Sequence, residues 1–165
     1  MADGNTSVVN IPGTDISYYL DARLRKSIDI KIVPSLHIKD EDCVIALDGM
    51  EGSGKSTLAF QLAKYVDNSF NLSRVVFNAD AFKEAVYKAE KGQCIVYDEA
   101  FTGLSSRSSL SGINRALVSL MMQMRQKNLF IIVVLPTFFL LAILLGLTPR
   151  VRIEFSNALI NSASP

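Results

Sequence analysis

The sequence is poor in the residues that build metal and disulfide sites. It has one histidine, His37, and two cysteines, Cys43 and Cys94. A lone histidine cannot anchor a histidine-based zinc site, so its expected place is a surface or a turn. Each cysteine lies inside an apolar run, and there is no C-x-x-C pair. Both read as reduced, buried small hydrophobes in a reducing compartment. An excess of one charge is also lacking: 17 Lys and Arg stand against 16 Asp and Glu, a net charge of +1. That balance argues against a histone-like or polyanion-coating protein, although a local basic patch is compatible with it. Met1 to Asn10 holds no apolar run of the kind a signal peptide needs. No internal repeat or low-complexity segment is found.

What is present is a chain of 165 residues, 49% hydrophobic and 20% charged. This is globular composition, with length enough for one domain and its core. The mean hydropathy of +0.26 is high. Much of it comes from Leu129 to Leu147, which only Pro136, Thr137 and Gly146 interrupt. That run is long enough to be a membrane-span candidate.

Along the chain, Met1 to Pro12 reads as a loose tail. Ile16, Tyr19, Leu20, Leu24 and Ile28 recur at roughly helical spacing. Ile28, Ile30 and Ile32 then alternate with Asp29 and Lys31, which predicts a strand ended by Pro34. Residues 1–38 are thus expected to form a tail and short appendage that packs on the core, with a partner-binding arm as the other reading. Residues 39–156 hold the core and 157–165 a frayed tail. Within the core, strands are predicted at Cys43–Leu47, Arg74–Phe77, Cys94–Tyr97, Leu129–Leu135 and Arg150–Phe155. Helices are predicted at Ser56–Val66, Asp80–Lys91 with Gly92 as its stop, and Ile113–Lys127. Strands alternating with helices imply an α/β fold, a parallel sheet covered on both faces.

Gly49-Met50-Glu51-Gly52-Ser53-Gly54-Lys55-Ser56 matches G-x-x-x-x-G-K-[ST] at every fixed position, and Thr57 follows. By chance such a match arises on the order of once in a few hundred chains of this length. Here it also lies between a predicted buried strand and an amphipathic helix. Glycines let successive N–H groups converge on phosphate oxygens without Cβ obstruction. The helix that follows turns its positive end toward the anion. Lys55 supplies a point charge for the β- and γ-phosphates, and Ser56 a hydroxyl for Mg²⁺. The expected cofactors are ATP and Mg²⁺.

Asp98 and Glu99 end the apolar segment Cys94–Tyr97. A carboxylate at the carboxyl end of a parallel strand points into the crevice where ligands bind. Asp98 is the expected second Mg²⁺ group. Glu99 would lie beside the γ-phosphate and orient or deprotonate a water. A phosphotransferase must keep water away, so a paired Asp-Glu favours hydrolysis.

Gly49 to Ser56, Asp98-Glu99 and the polar Thr137 after the next strand together resemble the P-loop ATPases with an additional catalytic glutamate. The run Tyr97-Asp98-Glu99-Ala100, the Met-rich segment ending Met124-Arg125-Gln126-Lys127-Asn128, and the strand ending Leu135-Pro136-Thr137 are similar to phage and mobile-element ATPases near the FtsK–HerA and zonular-occludens-toxin-like groups. The resemblance covers roughly Cys43 to Thr137. It implies a RecA-like core: a three-layer αβα sandwich with a mostly parallel sheet, the P-loop NTPase fold. It also implies that Leu129–Leu135 inserts between the phosphate-loop strand and the strand of Asp98, with Thr137 as sensor.

The resemblance further implies a homo-oligomer in which a neighbour's arginine completes the site. Arg107 is the first choice, in the polar loop after Glu99, with Arg115 and Arg125 as others. The expected output is work on double-stranded DNA or in phage or plasmid assembly. Leu129–Leu147 reads as a central strand, a Pro136-Thr137 turn and a buried helix over 138–145; the other reading is a span flanked by Lys127, Arg150 and Arg152. Because 138–147 has no polar face, it is expected to be buried, to meet a partner or to touch a membrane. The location expected is cytoplasmic, with membrane association through 138–147 as the variant. Two other functions fit the motifs. One is a small nucleoside or nucleotide kinase, disfavoured by the lack of an arginine-rich lid. The other is a nucleotide-gated assembly protein without turnover.

Overall fold

The computed structural model describes residues 6–49, 52–98, 127–135 and 151–155. The chain opens with an antiparallel hairpin, β1 (Thr6–Asn10) and β2 (Ser17–Asp21). Helix α1 (Ala22–His37) follows directly. Then come β3 (Cys43–Gly49), α2 (Lys55–Val66), a single 3-10 turn at Leu72–Arg74, β4 (Val75–Val76), α3 (Ala79–Lys88), β5 (Cys94–Asp98), β6 (Phe130–Leu135) and β7 (Val151–Phe155). The last five strands form one sheet in the order β4-β5-β6-β3-β7, and every neighbouring pair is parallel. This is the expected α/β class. β6 lies between β3 and β5, the place the resemblance gives it.

From β3 the chain travels outward to β4 through α2, then turns back to β5 through α3. Crossovers of one hand that travel in opposite directions fall on opposite faces of a sheet. The core divides accordingly. Cys43, Ile45, Leu47, Cys94, Val96, Phe130, Ile132 and Val134 meet α1 and α2 on one face. Ala46, Ile95, Tyr97, Ile131 and Val133 meet Phe82, Val86 and Ala89 of the α3 segment on the other. Phe82 and Tyr97 stack at a centroid distance of 5.1 Å. Burial on both faces explains why β5 and β6 read as unbroken apolar runs and not as alternation.

The amino end of the sheet is clamped by polar groups far apart in sequence. Asn128, buried and at φ 48°, donates from Nδ2 to Asp40 Oδ1 at 2.7 Å. Asp42 Oδ1 accepts from Leu129 N at 2.8 Å. Lys91 Nζ lies 2.8 Å from Asp40 Oδ1. Lys127 Nζ donates to the carbonyls of Val86, Tyr87 and Ala89, at 3.2, 2.6 and 2.8 Å, and so caps the end of α3. A second knot ties α2 to β5. Asp67 Oδ2 accepts from Cys94 N at 2.9 Å and from Arg74 Nη1, while Oδ1 accepts from Ser69 N and Oγ.

The N-terminal expectations need correction. Thr6–Asn10 is a paired strand and not a loose tail. The strand expected through Ile28, Ile30 and Ile32 is part of α1. Ile28, Ile32 and Leu36 also recur at i, i+4, i+8, and these three are buried, whereas Ile30 is 61% exposed. Asp21 starts the helix by accepting from Arg23 N and Leu24 N. Pro34 lies inside α1 and does not end it; its carbonyl still accepts from Ile38 N and Lys39 N. α3 stops at Lys88, three residues short of the expected end, because Ala89 turns extended. Lys127, expected to close a helix, lies in a turn. The rest of the helix predicted over 113–127, the helix over 138–145 and the tail 157–165 lie outside the described residues.

Both cysteines are free and buried, as expected. His37 is exposed in the last turn of α1, also as expected. Phe130–Leu135 is a strand inside the sheet, so Leu129–Leu147 is not one continuous membrane helix. Among the described residues no helix is long and apolar enough to cross a membrane.

Candidate functional site

The carboxyl ends of β3, β5 and β6 lie together at one end of the parallel sheet. β3 delivers the chain there after a buried apolar run, and the glycine loop takes over. Gly49, Gly52 and Gly54 have φ of 148°, 75° and 86°. A Cβ at Gly52 or Gly54 would meet nothing within 4 Å. The requirement for glycine at these two positions is therefore the left-handed backbone itself.

α2 begins at Lys55 with Gly54 as its N-cap, and no side chain caps it. α1 and α3 differ in this respect: Asp21 and Asn78 supply oxygens to their first turns. Only α2, the helix that follows the glycine loop, leaves this job undone among the three. An anion at this position would meet the positive end of the helix and act as its cap.

Lys55 is 9% exposed and folds back across the loop, donating from Nζ to the Gly49 carbonyl at 2.8 Å. The Ser53 hydroxyl is buried without a hydrogen-bond partner among the described residues. Ser56 is half-buried and Thr57 exposed. Asp98, 8% exposed, ends β5. Cys94 and Val96 face α2 and alternate with Ile95 and Tyr97. By the same alternation Asp98 falls on the α2 side of the sheet. It pairs with Val134, which pairs in turn with Leu47. Two strand spacings thus separate it from β3 just below the loop, about 10 Å.

The described residues include no cluster of three or more carboxylate, histidine or cysteine groups able to hold a metal. A phosphate-bound Mg²⁺ needs none, since it keeps several waters and takes one or two protein groups. A hydroxyl at Ser56 and a buried carboxylate at Asp98 fit that demand. Met50, Glu51, Glu99, Arg107 and Thr137 lie outside the described residues.

Phe77 did not stand out in the sequence. Val76 pairs with Tyr97, so the next residue, Phe77, is level with Asp98 and is 58% exposed at the same end of the sheet. Asn78 follows as the N-cap of α3. The available signal was position: Phe77 is the last residue of a predicted strand in a parallel sheet.

The class that this α/β sheet and the matching family model define is an NTPase. The chain belongs to the family described as Novel STAND NTPase 3, whose model matches residues 35–140. That match runs from the end of α1 beyond β6 and includes both the glycine loop and Asp98. It agrees with the expected resemblance at the level of an NTPase, and names neither the FtsK–HerA nor the zonular-occludens-toxin-like group. No curated protein and no solved structure gives a significant match to the chain.

Proposed function

We propose that this protein binds ATP with Mg²⁺ in the loop Gly49–Thr57 and hydrolyses the β–γ bond. The observation that carries this reading is one juxtaposition. An uncapped helix start behind a left-handed glycine loop shares the carboxyl end of the sheet with the buried Asp98, and β6 lies between their strands. Loop amides from Gly49 through Thr57, including those of Met50, Glu51, Gly52, Ser53 and Gly54, surround the phosphates. Lys55 exchanges its bond to the Gly49 carbonyl for phosphate oxygens. The Ser53 hydroxyl gains the partner that it lacks. Ser56 and Asp98 would hold Mg²⁺, which when bound neutralises charge on the β- and γ-phosphates. Glu99 follows Asp98 directly and positions the attacking water, taking its proton. Thr137 follows the carboxyl end of β6 and senses the γ-phosphate. Arg107 of a neighbouring copy stabilises charge developing on the transferred group.

The client, double-stranded DNA or a phage or plasmid assembly, rests on the resemblance alone, since the family description names an NTPase and no client. The test is phosphate release from ATP–Mg²⁺ at several protein concentrations, with and without double-stranded DNA, beside Glu99→Gln. A rate per chain that rises with concentration or DNA, and collapses in Glu99→Gln, is the expected result. Nucleotide binding without release under every condition would overturn hydrolysis and favour a nucleotide-gated assembly protein. Transfer to a nucleoside acceptor would favour a kinase.

A further inference from the structure

A second concave site lies far from the glycine loop. Lys64 on its wall stands nine residues along α2 from Lys55, about 14 Å at 1.5 Å per residue. The cavity, of about 320 Å³, separates β1 from the last turns of α2 and is walled also by α1.

One wall is the free edge of β1. Ile11 N donates to Ile16 O at 2.9 Å, continuing the register in which Asn10 faces Ser17. Hydrogen-bonded and non-hydrogen-bonded pairs alternate along an antiparallel ladder. Val9/Tyr18 and Ser7/Leu20 are therefore the bonded pairs, and the backbone groups of Val8 and Asn10 point away from β2. Both residues line the cavity. Among the described residues no strand pairs with that edge. β1 also carries no proline and no charge, the usual protections of an open edge.

The opposite wall is cationic. Arg25 spends its Nε–H on Tyr65 Oη at 3.1 Å, leaving its two terminal NH₂ groups. Lys64 Nζ donates to the carbonyls of Asn68 and Phe70, leaving one of its three protons. No carboxylate lines the cavity. Asp29, outside the lining, lies 4.0 Å from Arg25 Nε and accepts from Tyr65 Oη. The phenols are already engaged, Tyr18 Oη donating to Gln61 O at 3.0 Å. Burial pushes the Tyr18 phenol up to about 12, so that ring stays neutral at physiological pH.

We infer that this cleft binds an extended peptide segment of a partner protein, added as a third strand on the free edge of β1, with an acidic side chain meeting Arg25 and Lys64. The edge supplies sequence-independent affinity through Val8 and Asn10, and the two cations supply the preference for a carboxylate. The site shares no residue with the glycine loop and stands independently of the nucleotide reading.

The test uses the ¹⁵N-labelled full chain. It is titrated with the blocked peptide acetyl-Thr-Val-Glu-Val-Thr-amide, with its Glu-to-Gln analogue, and with a version N-methylated on alternate amides. The expected result is saturable amide shifts at Val8 and Asn10. Affinity should fall about tenfold for the Gln analogue and for Arg25→Gln, and binding should be lost on N-methylation. Val8→Pro should also abolish binding, since proline is tolerated at an unpaired edge position. N-methylation alters only the ligand, so its outcome does not depend on any variant folding. Equal binding of the N-methylated peptide, or no shift at Val8 and Asn10 with millimolar peptide, would overturn the inference. So would shifts at these amides that grow with protein concentration alone, which would assign the edge to a second copy of the chain.

Discussion

Replacing Asp67 by alanine tests the link between α2 and the strand that carries Asp98. In the native fold this buried carboxylate accepts from the amide of Cys94, the first residue of β5, and from Arg74 and Ser69. The substitution leaves the Cys94 N–H buried without an acceptor, a cost of about 1–3 kcal/mol. It also strips Arg74 of its counter-charge, and breaking a buried pair costs about 3–5 kcal/mol. Arg74 keeps Ser69 Oγ at 2.9 Å and the face of Phe70, so the lower part of that range applies. The expected total is about 4–6 kcal/mol, against a whole stability of about 5–15 kcal/mol for a domain.

The same carboxylate sets an acid dependence. Burial by itself pushes the Asp67 carboxyl up, but the bonds from Ser69, the Cys94 amide and Arg74 outweigh it and hold it below the usual range. A depressed folded pKa contributes stability that is full above the unfolded value, about 3.9. It is lost as pH falls through the folded value. Urea unfolding followed by circular dichroism should therefore show the full gap between native and Asp67→Ala at pH 7 and at pH 5, and a shrinking gap below pH 4. A gap under about 1 kcal/mol at pH 7, or one that does not shrink in acid, would refute this account of the knot.

Lys55→Ala should abolish binding of a fluorescent ATP analogue while leaving the circular dichroism spectrum native, since its ammonium donates to a loop carbonyl at the end of the sheet. Glu99→Gln should slow phosphate release about 10²–10⁴-fold without weakening nucleotide binding, measured in the same assays. Lys127→Met removes three bonds at the end of α3 and should cost about 1–2 kcal/mol in urea unfolding, with turnover per folded chain unchanged. In alkali, the raised Tyr18 pKa contributes stability present below about pH 10. That stability is lost as pH rises through about 12, so ultraviolet titration should show Tyr18 among the tyrosines that ionise late, with an early shift of that late step in Tyr18→Phe. Burial also raises the Cys94 thiol well above its usual range, so a thiol reagent should modify it only on unfolding.

The site end of the fold was the more legible. A phosphate-loop pattern is short, and every residue of it acts within its own strand–loop–helix unit. The buried strands announced themselves as apolar runs, because a sheet covered on both faces leaves no polar positions. Even the insertion of β6 followed, through the resemblance. The N-terminal segment was harder because one isoleucine pattern serves two periods. Ile28, Ile30 and Ile32 alternate as a strand would, while Ile28, Ile32 and Leu36 step as a helix does, and packing against β3 decided between them. The end of α3 was illegible for another reason. Its carbonyls are capped by Lys127, about forty residues away, and no local pattern carries that contact. Arg25 and Lys64 likewise meet at one cavity only once the hairpin, α1 and α2 are assembled.

The central place of β6 also governs the order in which the chain can become compact. β3 and β5 are made first, yet they do not touch; a slot one strand wide separates them, and only Phe130–Leu135 fills it. Until that segment leaves the ribosome, two apolar strands present unpaired edges to each other and to any neighbouring chain. Everything before it is then a half-sheet liable to close in the wrong register. Synthesis of the middle strand after both of its neighbours makes the joining of β3 to β5 a single event. A ribosome stalled before residue 130 should hold a nascent chain that is protease-sensitive and chaperone-bound, whatever nucleotide is supplied.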